Sequence, residues 1–518
     1  MKKRQGRYSV DLKALKTAAG ANNVNSGSIT VYLCMSLCII LSLIFVCMNS
    51  ARTASARAAV SCAADQGMFS LFSNYDKTLY EEFGLLLLDG GYGTGELNLG
   101  AAAAEMTDYT KEVLSPTVGI LTTTPEKLYD ISIESTDVTG YVLATDSGYA
   151  PLIEQICEVM KQKLGVDGIE KLKDMLDVNS SAIEEFGLES EDEISELEKK
   201  YEENKELAGQ LKEKTQENEV TTETETADVS SVTESVEIPT DFKNPVDNIT
   251  KLRKLGLMSF ALPDDASLSE AAVDLNDMLN NRELNSGMGV LPETESGLDT
   301  KFLVSSFAAD MLGSYLTADD SDYLQYKAEY VLCGKSSDAA NLKGVMEKLS
   351  LIRTGLNYIY IMTDAEKTAQ AYEIALIIAA VLLMPESIDV IEQIVKWLWA
   401  YAESMMDVKS LLEGGKVPIF KDKSSWQVSL DLFSTMDSQT EPQSKSNGLS
   451  YDEYLKILLY MLPEDMLISR TADMIEYTKR VKDEQGKFRL DCCLSELETS
   501  LTCHAAGKEL TVSRKYGY

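Results

Sequence analysis

The chain has 518 residues, 83 of them acidic and 48 basic, for a formal charge of −35, with 44% hydrophobic residues. That surplus of negative charge works against binding to nucleic acid or anionic lipid. The apolar share, over a length that allows two or three domains, excludes a chain that is disordered throughout.

The first 28 residues carry Lys2, Lys3, Arg4, Arg7, Lys13 and Lys16 against Asp11, a net charge of +5. Ile29 to Met48 follows without a single charge, and 11 of its 20 residues are Leu, Ile, Val or Phe. As a helix of about 1.5 Å per residue this stretch reaches about 30 Å, the thickness of a bilayer's hydrocarbon core. A basic leader (1–28) before one span (29–48) predicts a single-pass membrane protein with a cytoplasmic amino end. The roughly 470 residues beyond Met48, which carry the remaining −40, are then extracytoplasmic. A cleaved secretory signal is the alternative, because Ala54-Ser55-Ala56 has a small-x-small pattern. Against it, a signal's apolar region is normally about 7 to 15 residues, and Arg52 and Arg57 crowd the supposed cleavage site.

Past the span, Ala51, Ala54, Ala58, Cys62, Met68 and Leu71 keep near-helical spacing, so the helix is expected to continue to about Phe72 as an amphipathic stalk. The segment 49–88 then closes with a short buried strand, Glu81 to Asp89, and the turn Gly90 to Gly95. A small α+β unit is expected over 89–188: an Ala-rich helix (Leu99 to Val113), a half-buried strand pair (Tyr129 to Leu143) and a helix from Pro151 through Leu164. Residues 189–245 read as a charged helix, with a thin seam of Ile194, Leu197, Tyr201, Leu207 and Leu211, and then an acidic linker centred on Val220 to Glu237.

The remainder, 246–518, is expected to be mainly helical. Leu342, Val345, Met346, Leu349, Ile352, Leu356 and Ile359 mark one helix face, and Asp364 is placed to cap the next helix. The apolar run Ile374 to Met384 is too short to span a membrane and reads as a core helix. Ser387 to Leu412 forms another helix, Ser450-x-x-Glu453 is a capping box, and Phe488 to Tyr518 adds a small sheet.

Chemistry-bearing motifs are sparse. His504 beside Cys503 lacks the paired ligand spacing of zinc, Cys492 and Cys493 are adjacent instead of C-x-x-C, and one disulfide among these three cysteines is possible. Gly90 to Gly95 lacks the pattern of a nucleotide-binding loop. Asp319, Asp320 and Asp322 lack the closing Glu of a calcium loop. Trp397, Trp399, Trp426 and Tyr401 fit either a carbohydrate or peptide groove or, at helical spacing, a core. No catalytic, cofactor-binding or metal-binding residue is assigned, and the chain reads as non-enzymatic.

Two resemblances add to this. GSITVYLCMSLCIILSLIF followed by NSARTASARAAVSCAADQ resembles the anchor segment of pseudopilin-like proteins of tight-adherence (Tad, Flp-type) pilus systems. Tyr32 stands where that pattern has a Glu five residues after the Gly, so although Gly27-Ser28 has the form of a prepilin peptidase site, the leader is expected to be retained. The segments 72–89, 326–364, 399–426 and 449–462 resemble an uncharacterised family of large anchored proteins that accompany such loci in Gram-positive anaerobes. The resemblance implies an accessory or structural role in a pilus or secretion assembly, with pilus assembly proteins as partners and a possible helix-mediated oligomer. The alternative is a membrane-tethered envelope enzyme or a glycan- or peptide-binding protein.

Overall fold

In the computed structural model the described residues are 12–116, 124–186, 243–262, 268–289, 298–318, 323–382, 388–443, 447–483 and 487–518. The acidic linker 220–237, the charged stretch 189–219 and the Asp319, Asp320, Asp322 loop lie outside them. Two compact units emerge. The first comprises Met1–Asn74, Asn98–Tyr141 and Glu496–Tyr518, and the second Tyr75–Leu97 and Val142–Ser495.

The first unit is built on α1 (Leu12–Phe72), which begins upstream of the apolar stretch and ends where its spacing predicts. Along it the surroundings change. From Ile29 to Met48 the large side chains are exposed, whereas Ala56, Val60, Ala63, Ala64, Met68, Leu71 and Phe72 are buried. The stretch from Ile29 onward is long and apolar enough to cross a membrane, with a mean hydropathy of 2.7 in its most apolar window. The buried part packs on α3 (Leu99–Leu114), which Asn98 caps by accepting the Ala101 N–H at 3.0 Å. Gly67 allows the close approach of the two helices: a Cβ there would lie 2.3 Å from the Thr110 hydroxyl.

Helix α4 (Pro125–Tyr129) and strand β2 (Ser132–Leu143) follow. Tyr129 to Leu143 was expected to hold a strand pair, but it contains one long strand, whose partner β3 (Cys493–Ala505) lies some 350 residues on. Strand β4 (Lys508–Gly517) pairs antiparallel with β3 from Glu496↔Gly517 to Ala505↔Lys508. Leu497, Thr499, Leu501, Cys503 and Ala505 form the buried row of β3, as a period of two requires. The predicted small sheet at the carboxyl end is present.

In the second unit, α2 (Lys77–Phe83) takes the first three residues of the stretch expected as a strand, Glu81 to Phe83. Asp76 caps it, Gly84 ends it at φ 73°, and only β1 (Leu88–Asp89) pairs, with Leu494 and Cys493. Leu85, Leu87 and Leu88 of the apolar run are buried without forming a full strand. Helix α5 (Asp146–Phe186) is interrupted by left-handed residues at 147–149 and by Gly165 at φ 66°, so its first regular section matches the expected Pro151 to Leu164 helix. The core is then filled by α6 (Pro245–Leu255), α7 (Leu257–Ala261), α8 (Leu298–Met311), α9 (Lys327–Cys333), α10 (Asp338–Thr363), α11 (Ala365–Leu382), α12 (Ile388–Leu412), α13 (Leu430–Thr435), α14 (Tyr451–Met461) and α15 (Glu464–Lys482). Both predicted caps form. Asp364 accepts the Lys367 N–H at 3.0 Å, and Ser450 and Glu453 make a reciprocal capping box.

Candidate functional site

Helices α10 and α12 lie against each other and present different chemistry on their two sides. On one side, Lys343, Met346, Glu347, Ser350, Leu351 and Thr354 of α10 face Trp397 and Tyr401 of α12 across a cleft of about 830 Å³. The α6–α7 junction, Arg253 to Ser259, closes the third wall, where Gly256 adopts φ 92°. Trp397 and Tyr401 stack at 5.7 Å and 19°, one turn apart on the same helix face. The Arg253 guanidinium lies over both rings, 5.1 Å from Trp397 and 5.9 Å from Tyr401. Burial pushes the Tyr401 phenol up, against the pull of Arg253. The Trp397 indole N–H is buried and has no hydrogen-bond partner among the described residues. Below the cleft, Ser350, Thr354 and Ser404 form a hydroxyl ladder with contacts of 3.1 and 3.0 Å.

On the other side lies a closed cluster of ions. Arg353 Nε donates to Asp407 at 3.0 Å, while its Nη atoms donate to the Pro418 and Ile419 carbonyls, Tyr454 and Asn357. Lys421 Nζ reaches Glu403 at 2.7 Å, Asp407 at 2.6 Å and the Ser425 carbonyl at 3.0 Å. Glu403 also accepts the N–H groups of Gln427 and Val428. All four ions are at least nine-tenths buried, and two cations balance two anions. Burial raises the Asp407 carboxyl, but Lys421 and Arg353 beside it outweigh that and hold it below the ordinary value. For Glu403 burial wins, against the pull of Lys421, and the carboxyl is pushed up. With each of the four charged groups hydrogen-bonded to at least two partners, the cluster clamps the 416–428 loop onto α10 and α12.

Lys367, at the start of α11, sits 4.2 Å over Trp399 and 4.1 Å over Trp426. Burial brings its pKa down to about 8, against the pull of Glu403 and Asp364. Trp399 is fully buried, with its N–H donating to the Val428 carbonyl at 2.9 Å. The four aromatic residues singled out by their spacing therefore divide. Trp397 and Tyr401 line the cleft, whereas Trp399 is in the core beside the ion cluster and the half-buried Trp426 packs against it.

The other motifs are also separated. Cys503 is buried and His504 half exposed, as neighbours on a strand must be, and His504 Nε2 lies 3.1 Å from Glu134. All nine cysteines are free, so the possible disulfide among Cys492, Cys493 and Cys503 is not formed. In the glycine turn, the N–H groups of Gly91 and Gly93 bind the Asp89 carboxylate at 2.8 and 2.7 Å. The turn's anion-binding groups are thus occupied by the chain itself. Spacing did not single out the ion cluster. Its signal was the presence of Arg353 within the α10 apolar face, and of Glu403 and Asp407 four apart in an otherwise apolar stretch of α12.

A protein-family model described as "Family of unknown function (DUF5702)" matches residues 235–505. No curated protein and no solved structure matches the chain. The matched region contains the cleft, the ion cluster and three of the four segments on which the wider resemblance rests, 326–364, 399–426 and 449–462.

Proposed function

The chain belongs to DUF5702, a family of unknown function, and we propose that it is a non-enzymatic, membrane-anchored accessory subunit of a tight-adherence pilus or secretion assembly. One observation supports this most directly: α1 is bare from Ile29 to Met48 and packed from Ala56 onward, the pattern of one continuous rod that leaves a membrane and enters a folded unit. In this reading the +5 leader keeps the amino end in the cytoplasm, and everything after Met48, the second unit and the folded part of the first, lies outside. The bare part of α1 packs beside the helices of pilin-like partners or of a second copy. The resemblance of the anchor to pseudopilin-like proteins names the assembly, and the acidic exterior keeps the protein away from nucleic acid.

The second reading, an envelope-tethered enzyme or binder of glycan or peptide, draws on the cleft. Its aromatic wall is poorly suited to a sugar ring, because Arg253 covers the Trp397 face and only 8% of that residue is exposed. A peptide is the better occupant under that reading. Affinity purification of the full chain from detergent-solubilised native membranes separates the two. Recovery of tight-adherence platform or pilin subunits supports the assembly role. Recovery of wall fragments without them supports the binder, and recovery of neither contradicts both.

A further inference from the structure

We infer that the first unit makes a second contact with the membrane: α4, through Leu128 with Arg52 and Lys127 beside it, rests in the lipid headgroup layer next to the span. The inference builds on the anchor reading of α1.

Helix α1 acts as a ruler from the membrane into the first unit. If Ile29 to Met48 fills the hydrocarbon core, Arg52 stands four residues, about 6 Å, beyond its edge. The headgroup layer on each side is about 5 to 7 Å thick. Arg52 is exposed, and its Nη2 donates to the Leu128 carbonyl at 3.5 Å, which ties α4 to this level. Side chains on a helix lean toward its amino end, here toward the membrane, so the guanidinium and its partner lie nearer the lipid than the Arg52 backbone. Within α4, Leu128 is 53% exposed and Lys127 is exposed beside it. The exposed acids Glu126 and Asp130 lie on either side, so the patch is a large apolar side chain among charges of both signs, which suits a zwitterionic interface where acyl carbons meet phosphocholine. The Ala506 N–H donates to the Tyr129 carbonyl at 2.7 Å, so the β3–β4 turn supports α4 at its carboxyl end.

The test places tryptophan reporters in the full chain, reconstituted in phosphatidylcholine nanodiscs with or without bromine near the headgroup end of the acyl chains. Emission from Trp397, Trp399 and Trp426 is subtracted with the parent protein. Leu41→Trp reports the middle of the span. Asp108→Trp reports a point about 28 Å or more beyond it, since Glu105 bonds Asn74 and Thr110 abuts Gly67. The expected result is bromine quenching and a blue shift for Leu128→Trp, with Leu41→Trp also quenched and Asp108→Trp unaffected. Lys127→Trp is the second reporter if Leu128→Trp folds poorly. If Leu41→Trp is quenched while Leu128→Trp and Lys127→Trp both behave like Asp108→Trp, the second contact is refuted and the anchor stands. If Leu41→Trp is not quenched, the anchor itself is refuted, and the second contact with it.

Discussion

Glu329 is fully buried in α9. One carboxylate oxygen accepts the Tyr315 N–H and the Tyr451 hydroxyl, both at 2.8 Å, and the other has no partner among the described residues. Burial raises its pKa from the ordinary 4.5 to about 7. Between those values the folded chain keeps a proton that the unfolded chain releases, so this residue's contribution to stability is lost as pH rises from about 4.5 to about 7. Glu329→Gln keeps an acceptor for both donors and cannot ionise. Urea titrations of variant and parent across that range should show the variant's relative stability rising with pH and levelling above about 7; a difference independent of pH would refute the assignment. Arg353 carries the opposite kind of risk. Arg353→Met leaves Asp407 buried with Lys421 alone, already shared with Glu403, and should cost about 3 to 5 kcal/mol, read as a lower urea midpoint. A loss below about 1 kcal/mol would mean that the cluster is not the clamp described.

Elements defined by local chemistry are legible in the sequence. Helix α1 ends at Phe72 because its apolar spacing stops there, and α14 starts at Tyr451 because Ser450 and Glu453 satisfy each other's backbone groups. Ser450→Ala should therefore lower stability by about 1 kcal/mol, measured by denaturant unfolding, and no change would show the box to be dispensable. Legibility failed where an element depends on a distant partner. The apolar run at Leu85 to Leu88 resembles a strand, yet Gly84 ends a helix just before it and only two residues find a partner, at Cys493 and Leu494. The alternation over Tyr129 to Leu143 reads as two strands because the partner of β2, β3, lies far along the chain. The β3–β4 turn offers a further test. Ala506 and Gly507 both have positive φ, 54° and 75°, and an alanine tolerates this poorly. Ala506→Asn should stabilise the protein by about 0.5 to 1 kcal/mol, and destabilisation would show that the turn geometry is misassigned.

For the whole molecule, an uncharged 20-residue stretch and a basic leader indicated an anchor, because membrane insertion is decided by local composition. The aromatic candidates were visible in sequence, but not that Trp397 and Tyr401 face a cleft while Trp399 is in the core with Trp426 packed against it. That division depends on Arg253 and on the 416–428 loop, both remote in sequence from α12. The ion cluster was hidden for the same reason, since Arg353, Glu403, Asp407 and Lys421 come together only once α10, α12 and the loop have folded. The central claim, that α1 crosses the membrane once and places everything after Met48 outside, is tested most directly by protease treatment of intact protoplasts carrying the chain tagged at both ends. The carboxyl-terminal tag should be lost while an amino-terminal fragment slightly longer than the span survives with its tag. A carboxyl-terminal tag protected until the protoplasts are lysed would contradict it.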